Sequence, residues 1–149
     1  VSDGLQELYQ EVILDHNRRP RNFRIIAGGV TQEGYNPLCG DRVLVSMAID
    51  NGVVRDVAFE GQGCAIAKAS ASLMTEALKG LTVAEAQERF AQFQSMVTSA
   101  HDEPPADLGK LSVLAGVREF PTRVKCASLA WHAAKAVLDG APAAPVSTE

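Results

Sequence analysis

Four residues of this chain have types and settings suited to chemistry: Cys39, Asp41, Cys64 and Cys126. The three cysteines share no local Cys-x-x-Cys motif, so their spacing alone establishes nothing. Their settings say more, because each falls at a junction between predicted elements, where a side chain can point into a shared cleft. Cys39 lies in the turn Pro37-Leu38-Cys39-Gly40-Asp41. Cys64 follows Gly61-Gln62-Gly63 at the start of a helix, and Cys126 falls in the first turns of the last helix. A thiol at a helix N-terminus meets positive potential, which enriches the nucleophilic thiolate. One cysteine by itself is commonly a small buried apolar residue; the set of three, with glycine-rich flanks, is what points to a site. Gly40, Gly61 and Gly63 would let the backbone approach a ligand closely, a property that ordinary turns also use.

Asp41 is the natural fourth ligand. It follows Cys39 by two residues, so in an extended segment both side chains point to the same side. Three thiolates and a carboxylate complete a tetrahedral zinc site with a formal charge of about −2, which a nearby cation would offset. Arg123 and Lys125, beside Cys126, are the candidates for that cation, with solvent-facing helix positions as the competing reading. His16, His101 and His132 are weaker ligand candidates, since none adjoins a cysteine. Gly61-x-Gly63-Cys64 is too short for a phosphate-loop or dinucleotide fingerprint, and Ser-His-Asp catalysis has no supporting local signature.

The elements that position these residues follow from patterning. Residues 3–17 read as an amphipathic helix, with Leu5, Leu8, Tyr9, Val12 and Ile13 on one face and Asp3 as cap. Residues 22–40 are loop-like, punctuated by Gly28-Gly29, Gly34 and Pro37, with a short strand around Phe23–Ile26. Val43, Val45, Met47 and Ile49 alternate along one strand. Asp50-Asn51-Gly52 then turns it into a partner strand over Val53–Glu60. A helix over Ala65–Lys79 ends at Gly80. Thr82-Val83-Ala84-Glu85 is a capping box that opens another helix, to about Met96. Residues 98–109 read as a loop, Leu111–Val117 as a short helix, and Thr122–Leu138 as a final helix closed by Gly140. Strands grouped and then helices grouped predict an α+β fold, a small antiparallel sheet of about three strands packed on helices. Residues 1–140 form one domain in this reading, and residues 141–149 have little to pack and are expected to be disordered.

Bulk properties narrow the classes. A chain of 149 residues buries enough surface to fold without disulfides or metal, so a metal site here reads as functional. The net charge of −4 and pI near 5.4 argue against non-specific nucleic-acid binding, which depends on Lys and Arg neutralising phosphates. Arg18, Arg19, Arg21 and Arg24 are a local exception, either a solvated helix C-terminus or a docking patch for an acidic partner surface. No apolar run approaches the ~20 residues that span a bilayer, and Val1-Ser2-Asp3-Gly4 lacks a signal-peptide layout. An odd number of cysteines fits reduced thiols and a cytoplasmic location.

Three motifs, in order, resemble the IscU/NifU-like family: Leu8 to Phe23, Asn36-Pro37-Leu38-Cys39-Gly40-Asp41, and Phe59-Glu60-Gly61-Gln62-Gly63-Cys64-Ala65-Ile66. The similarity runs from about residue 5 to residue 138. Within the family the SufU type is the nearer match. Classical IscU scaffolds carry a histidine immediately before the third cysteine, where this chain has Lys125, and residues 98–116 look like the insertion typical of the SufU type. The resemblance implies a SufE/NifU-like two-layer architecture. It also implies a zinc-dependent sulfurtransferase, which takes persulfide sulfur from a PLP-dependent, SufS-type cysteine desulfurase and relays it toward a downstream iron–sulfur scaffold. Carried over by motif, Cys39, Asp41, Cys64 and Cys126 would bind zinc. Cys39 would accept the sulfur, and Arg123 would match the arginine near the metal. The alternative is a scaffold that assembles an iron–sulfur cluster on the same Cys and Asp ligands; no nucleic acid or membrane partner is expected.

Overall fold

The amphipathic opening segment forms helix α1, Asp3–Arg18. The computed structural model describes residues 3–98, 108–140 and 145–148, with backbone only for 3–9, 118 and 119. The alternating segment and its partner form strands β2, Asp41–Asp50, and β3, Val53–Gln62, paired antiparallel. Asn51 (φ 53°) and Gly52 (φ 73°) both take left-handed backbone, the geometry that lets a two-residue turn follow the twist of the strands.

The first strand of the sheet is a correction to the sequence reading. Strand β1 is Val30–Asn36, inside the stretch read as loop, and it pairs antiparallel with β2 to give the order β1-β2-β3. The strand expected around Phe23–Ile26 reduces to a single parallel bridge between Phe23 and Phe59. The Phe23 ring stands edge-on to that of Phe59, and the Ile26 N–H donates to Ser46 Oγ. Those contacts lay the segment over the sheet, so Val45, Ser46 and Met47 are all buried although neighbours in a strand face opposite ways.

Helices α2, Ala65–Leu78, α3, Val83–Thr98, and α4, Pro121–Leu138, follow the sheet. The capping box at the start of α3 is reciprocal. The Thr82 N–H donates to Glu85 Oε1 at 2.9 Å, and the Glu85 N–H to Thr82 Oγ1 at 3.1 Å. Between α3 and α4 the expected short helix is a 3₁₀ helix, Gly109–Glu119; most of the preceding loop, His101 included, lies outside the described residues. No helix among the described residues is long and apolar enough to cross a membrane.

The core lies between the sheet and the helices. Val43, Val45 and Phe59 meet Met74 of α2 and Leu129 and Trp131 of α4. The Trp131 ring stacks on Phe93 at 4.2 Å between centroids. Its Nε1–H donates to Ser70 Oγ at 3.2 Å, and the Ser70 hydroxyl in turn donates to the Ala127 carbonyl at 2.6 Å. The two-layer α+β architecture expected from the sequence is the one observed.

His16 is a structural residue. It is buried at the end of α1, its Nδ1 2.7 Å from Ser72 Oγ and its Nε2 3.8 Å from Glu76 Oε1 on α2. Ser72 Oγ also accepts the Arg21 N–H at 2.8 Å, and burial, with the Arg21 charge next, lowers the His16 pKa and favours the neutral imidazole. The pair ties the end of α1 and the start of the next segment to α2.

The tail expectation also fails in part. Residues 145–148 lie along the outer edge of β1, with the Val146 N–H donating to the Glu33 carbonyl at 3.0 Å and the Tyr35 N–H to the Val146 carbonyl at 2.8 Å. An unpaired strand edge offers backbone donors and acceptors that this segment satisfies, and Val146 packs, partly buried, against the core. That is why poor packing composition did not keep this stretch apart from the domain.

Candidate metal centre

Pairing of β1 with β2 closes the turn at residues 37–40 and sets Asn36 opposite Asp41. The Gly40 N–H donates to the Asn36 carbonyl at 2.8 Å, and Gly40 has φ 81°. Glycine takes that left-handed backbone without steric cost, which lets the chain reverse sharply just after Cys39. Cys39 is exposed at the tip, its Sγ 3.7 Å from the same Asn36 carbonyl. Asp41, the first residue of β2, is buried at 3% exposure, and Cys126, in the second turn of α4, at 7%.

The ligand atoms of Cys39, Asp41 and Cys126 all lie within 4.8 Å of one another. Cys64 stands outside that group but against it. It caps α2, its Sγ accepting the Ala67 N–H at 3.4 Å and lying 4.0 Å from Asp41 Oδ2, while its N–H donates to Asp41 Oδ1 at 3.1 Å. The Asp41 carboxylate thus joins the two sides of the site through both oxygens.

Gly63 shows how closely the carboxylate is held. A Cβ at that position would sit 2.6 Å from Asp41 Oδ1 and 3.0 Å from its Cγ. Gly61 has a related reason at the end of β3, where a Cβ would overlap the backbone of Arg42 and Val43. Gly40 faces open space and is required by its backbone angle instead.

The electrostatics favour a cation. Burial pushes the Cys126 thiol well above the ordinary cysteine range, and hydrogen bonds to Asp41 and Cys64, together with their charges, push it further. The buried Cys126 thiol therefore favours its protonated form next to the Asp41 and Cys64 charges. A divalent ion would stabilise the deprotonated thiol in place of that proton. Three cysteine sulfurs and one buried carboxylate are a donor set that zinc accepts.

The remaining sequence-level candidates separate. The Arg123 guanidinium stacks over the Phe120 ring, 4.6 Å from its centroid, one helical turn before Cys126. Lys125 is exposed, and its carbonyl accepts the Thr148 hydroxyl at 2.9 Å. His132 packs edge-on against Phe90, and burial lowers its pKa below the ordinary histidine value. Asn36 was missed by the sequence reading. It is fully buried, and its side chain holds residues 147 and 148 of the tail while its carbonyl holds the Cys39 turn. A polar residue directly before Pro37 in a cysteine-bearing turn was the one local sign of it.

Comparison with known proteins identifies the family over most of the chain. The family described as NifU-like N terminal domain matches residues 8–127. The chain is 41% identical over 130 residues to the zinc-dependent sulfurtransferase SufU of Bacillus subtilis (strain 168), covering 87% of this chain and 88% of that one. It is 38% identical over 131 residues to the iron-sulfur cluster assembly scaffold protein IscU of Streptococcus pyogenes serotype M1, covering 88% and 82%. Among solved structures, FiSufU from Fervidobacterium islandicum AW-1 superposes with a TM-score of 0.77 at 32% identity, covering 88% of this chain and 93% of that one. The chain belongs to the NifU-like N-terminal domain family, the IscU/NifU-like proteins of iron–sulfur cluster assembly.

Proposed function

We propose that the protein is a zinc-dependent sulfurtransferase in which Cys39, Asp41, Cys64 and Cys126 hold one zinc ion and Cys39 accepts persulfide sulfur from a cysteine desulfurase. The observation that carries this reading is the contrast in exposure. Cys39 is exposed on a turn, while Asp41 and Cys126, within 4.8 Å of it, are buried on a strand and a helix. Cys64 is exposed as well, but its sulfur caps α2 and its N–H holds Asp41, so Cys39 is the accessible thiol that a turn carries toward an incoming donor. The likeness to a protein named as a zinc-dependent sulfurtransferase over 87% of the chain supports the same choice.

Zinc supplies a redox-silent positive charge that keeps thiolates deprotonated without exchanging electrons with sulfur. The residues do the rest. The Cys39 thiolate attacks the terminal sulfur of the donor's cysteine persulfide. A sulfur–sulfur bond forms to Cys39 Sγ as the donor's own sulfur–sulfur bond breaks, and the donor cysteine leaves as a thiolate. The exchange needs no external oxidant or reductant. Asp41 stays in place through its bond to the Cys64 N–H, and Cys126 stays buried, so the persulfide forms at the exposed end of the site. Arg123, a turn from Cys126, balances negative charge there. A downstream iron–sulfur scaffold then receives the sulfur by the same exchange.

The test is desulfurase turnover with and without the purified protein, with metal content measured on the same sample. Stimulated turnover, about one zinc per chain and loss of the effect in Cys39→Ala support the relay. Normal turnover by Cys39→Ala refutes it. A brown, oxygen-sensitive species that transfers an intact cluster would establish the scaffold activity named for the Streptococcus pyogenes relative.

A further inference from the structure

We propose that residues 145–148 are a strap that positions Cys39, acting through Asn36, and that Thr148 is its principal positioning residue. The segment connects the two halves of the metal centre by a continuous run of hydrogen bonds. At one end the Thr148 hydroxyl donates to the carbonyl of Lys125, the residue next to Cys126, at 2.9 Å. The same hydroxyl oxygen accepts from Asn36 Nδ2 at 2.8 Å, and Asn36 Oδ1 accepts from the Thr148 N–H and the Ser147 hydroxyl, both at 2.9 Å. At the other end the Asn36 carbonyl accepts the Gly40 N–H at 2.8 Å and lies 3.7 Å from Cys39 Sγ. Val146 anchors the segment upstream by its two backbone bonds to β1.

Each part of the run has a physical requirement that the strap meets. Asn36 is fully buried, and a buried amide whose donors and acceptors go unpaired is costly. The tail supplies partners for both its oxygen and its nitrogen. The first carbonyls of α4 are used within the helix, yet each keeps a second lone pair, and Lys125 gives its own to Thr148. The strap thereby fixes the distance between the end of β1, which carries the Cys39 turn, and the start of α4, which carries Cys126. A metal site gains affinity when its ligands are held in place before the ion arrives, because less ordering is left to binding. The inference concerns the same site as the proposed function, but its structural part holds whether that site relays sulfur or carries a cluster.

The experiment uses the full chain, metal-free and without any desulfurase, in wild-type, Thr148→Val, Thr148→Ser and Val146→Pro forms. Val keeps the shape of Thr but removes the hydroxyl, Ser restores it, and Pro removes the N–H that bonds Glu33. Two quantities are read: amide hydrogen exchange over residues 36–40, and zinc affinity by chelator competition. Thr148→Val and Val146→Pro should each raise exchange over 36–40 and weaken zinc about five- to tenfold, the effect of one ordinary hydrogen bond. Exchange in α2 should not change, and Thr148→Ser should behave as wild type. Unchanged exchange over 36–40 in both damaging variants overturns the proposal. So does faster exchange in α2 to the same degree, which would mean general loosening, and so does a failure of Ser to restore affinity. Desulfurase stimulation is absent from every readout, so failure of the relay leaves this result intact.

Discussion

Replacing Gly63 with alanine isolates the placement of Asp41 from every other property of the site. The φ of Gly63 is negative, so alanine meets no left-handed strain, and the effect comes from one methyl group. That methyl would sit 2.6 Å from Asp41 Oδ1, where ordinary contact begins at 3.4 Å. The carboxylate must therefore retreat by the better part of an ångström. Asp41 is buried, so it has no solvent to swing into, and the same oxygen accepts the Cys64 N–H. Retreat breaks that bond, and losing a hydrogen bond to a charged group costs about 1.5–3 kcal/mol. It also moves the oxygen that lies beside Cys64 Sγ, so ligand spacing suffers together with support. Zinc affinity should fall roughly 10- to 100-fold, the range typical of damage to residues that orient metal ligands. Competition against a chromophoric zinc chelator reads the affinity, and urea unfolding of the metal-free protein reads the stability. A Gly63→Ala protein that binds zinc as tightly as wild type would refute the placement of Asp41 and its role as a ligand.

Other consequences follow from the core and the surface. Ser70→Ala leaves the buried Trp131 N–H without its acceptor and should destabilise the protein by about 1–3 kcal/mol in denaturant unfolding without changing zinc stoichiometry. His16 has a pKa lowered from 6.5, chiefly by burial and next by Arg21, with Glu76 and Asp15 opposing. The folded state thus binds its proton less readily than the unfolded state. The stability it contributes is fully present above 6.5 and lost as pH falls below that value. Metal-free wild type should lose stability on acidification more steeply than His16→Asn, and equal slopes would remove His16 as the cause. Arg21 pairs with Asp15 at 2.6 Å and Arg24 with Asp56 at 2.8 Å, while Arg18 and Arg19 are exposed. Arg18→Glu/Arg19→Glu should weaken desulfurase binding in a titration and leave zinc affinity unchanged.

Legibility from sequence divided along the distance over which each feature is determined. The capping box at Thr82 and Glu85 and the Asn51-Gly52 turn are set by residues within four positions of each other, and both were read correctly. Strand β1 was not, because its buried residues are Gln32, Gly34 and Asn36. These give no apolar alternation, and the glycine read as a loop signal lies under Leu129 of α4, where a Cβ would be 3.1 Å from the leucine side chain. His16 finds Ser72 across 56 residues and Asn36 finds Thr148 across 112, distances at which local patterning carries no information. The grouping of Cys39, Asp41 and Cys126 was expected for a different reason. Reactive residue types are few in this chain, and the motifs around Cys39 and Cys64 carry a family likeness that periodicity does not.

The proposed strap and the proposed relay place opposite demands on Cys39, and the turn could meet both by dividing them between its ends and its middle. Asn36 and Asp41 are paired across β1 and β2, and both are buried. Pro37, Leu38, Cys39 and Gly40, the residues between them, are all exposed, Leu38 to 87%. Fixed ends keep Asp41 and the strand register in place while the four exposed residues rearrange, and Gly40 supplies the backbone latitude for it. Neither of the other cysteines has such freedom. Cys64 is bound through its own N–H and through its sulfur cap on α2, and Cys126 is buried within α4. On the proposed relay, a donor that engages the exposed turn would meet Cys39 while Asp41 and Cys126 stay buried. Release of the strap would instead move the end of β1 itself, and with it the distance to Cys126. On the proposed reading, the strap acts at the buried base of the turn through Asn36, and the thiol proposed to exchange sulfur stands at its exposed tip.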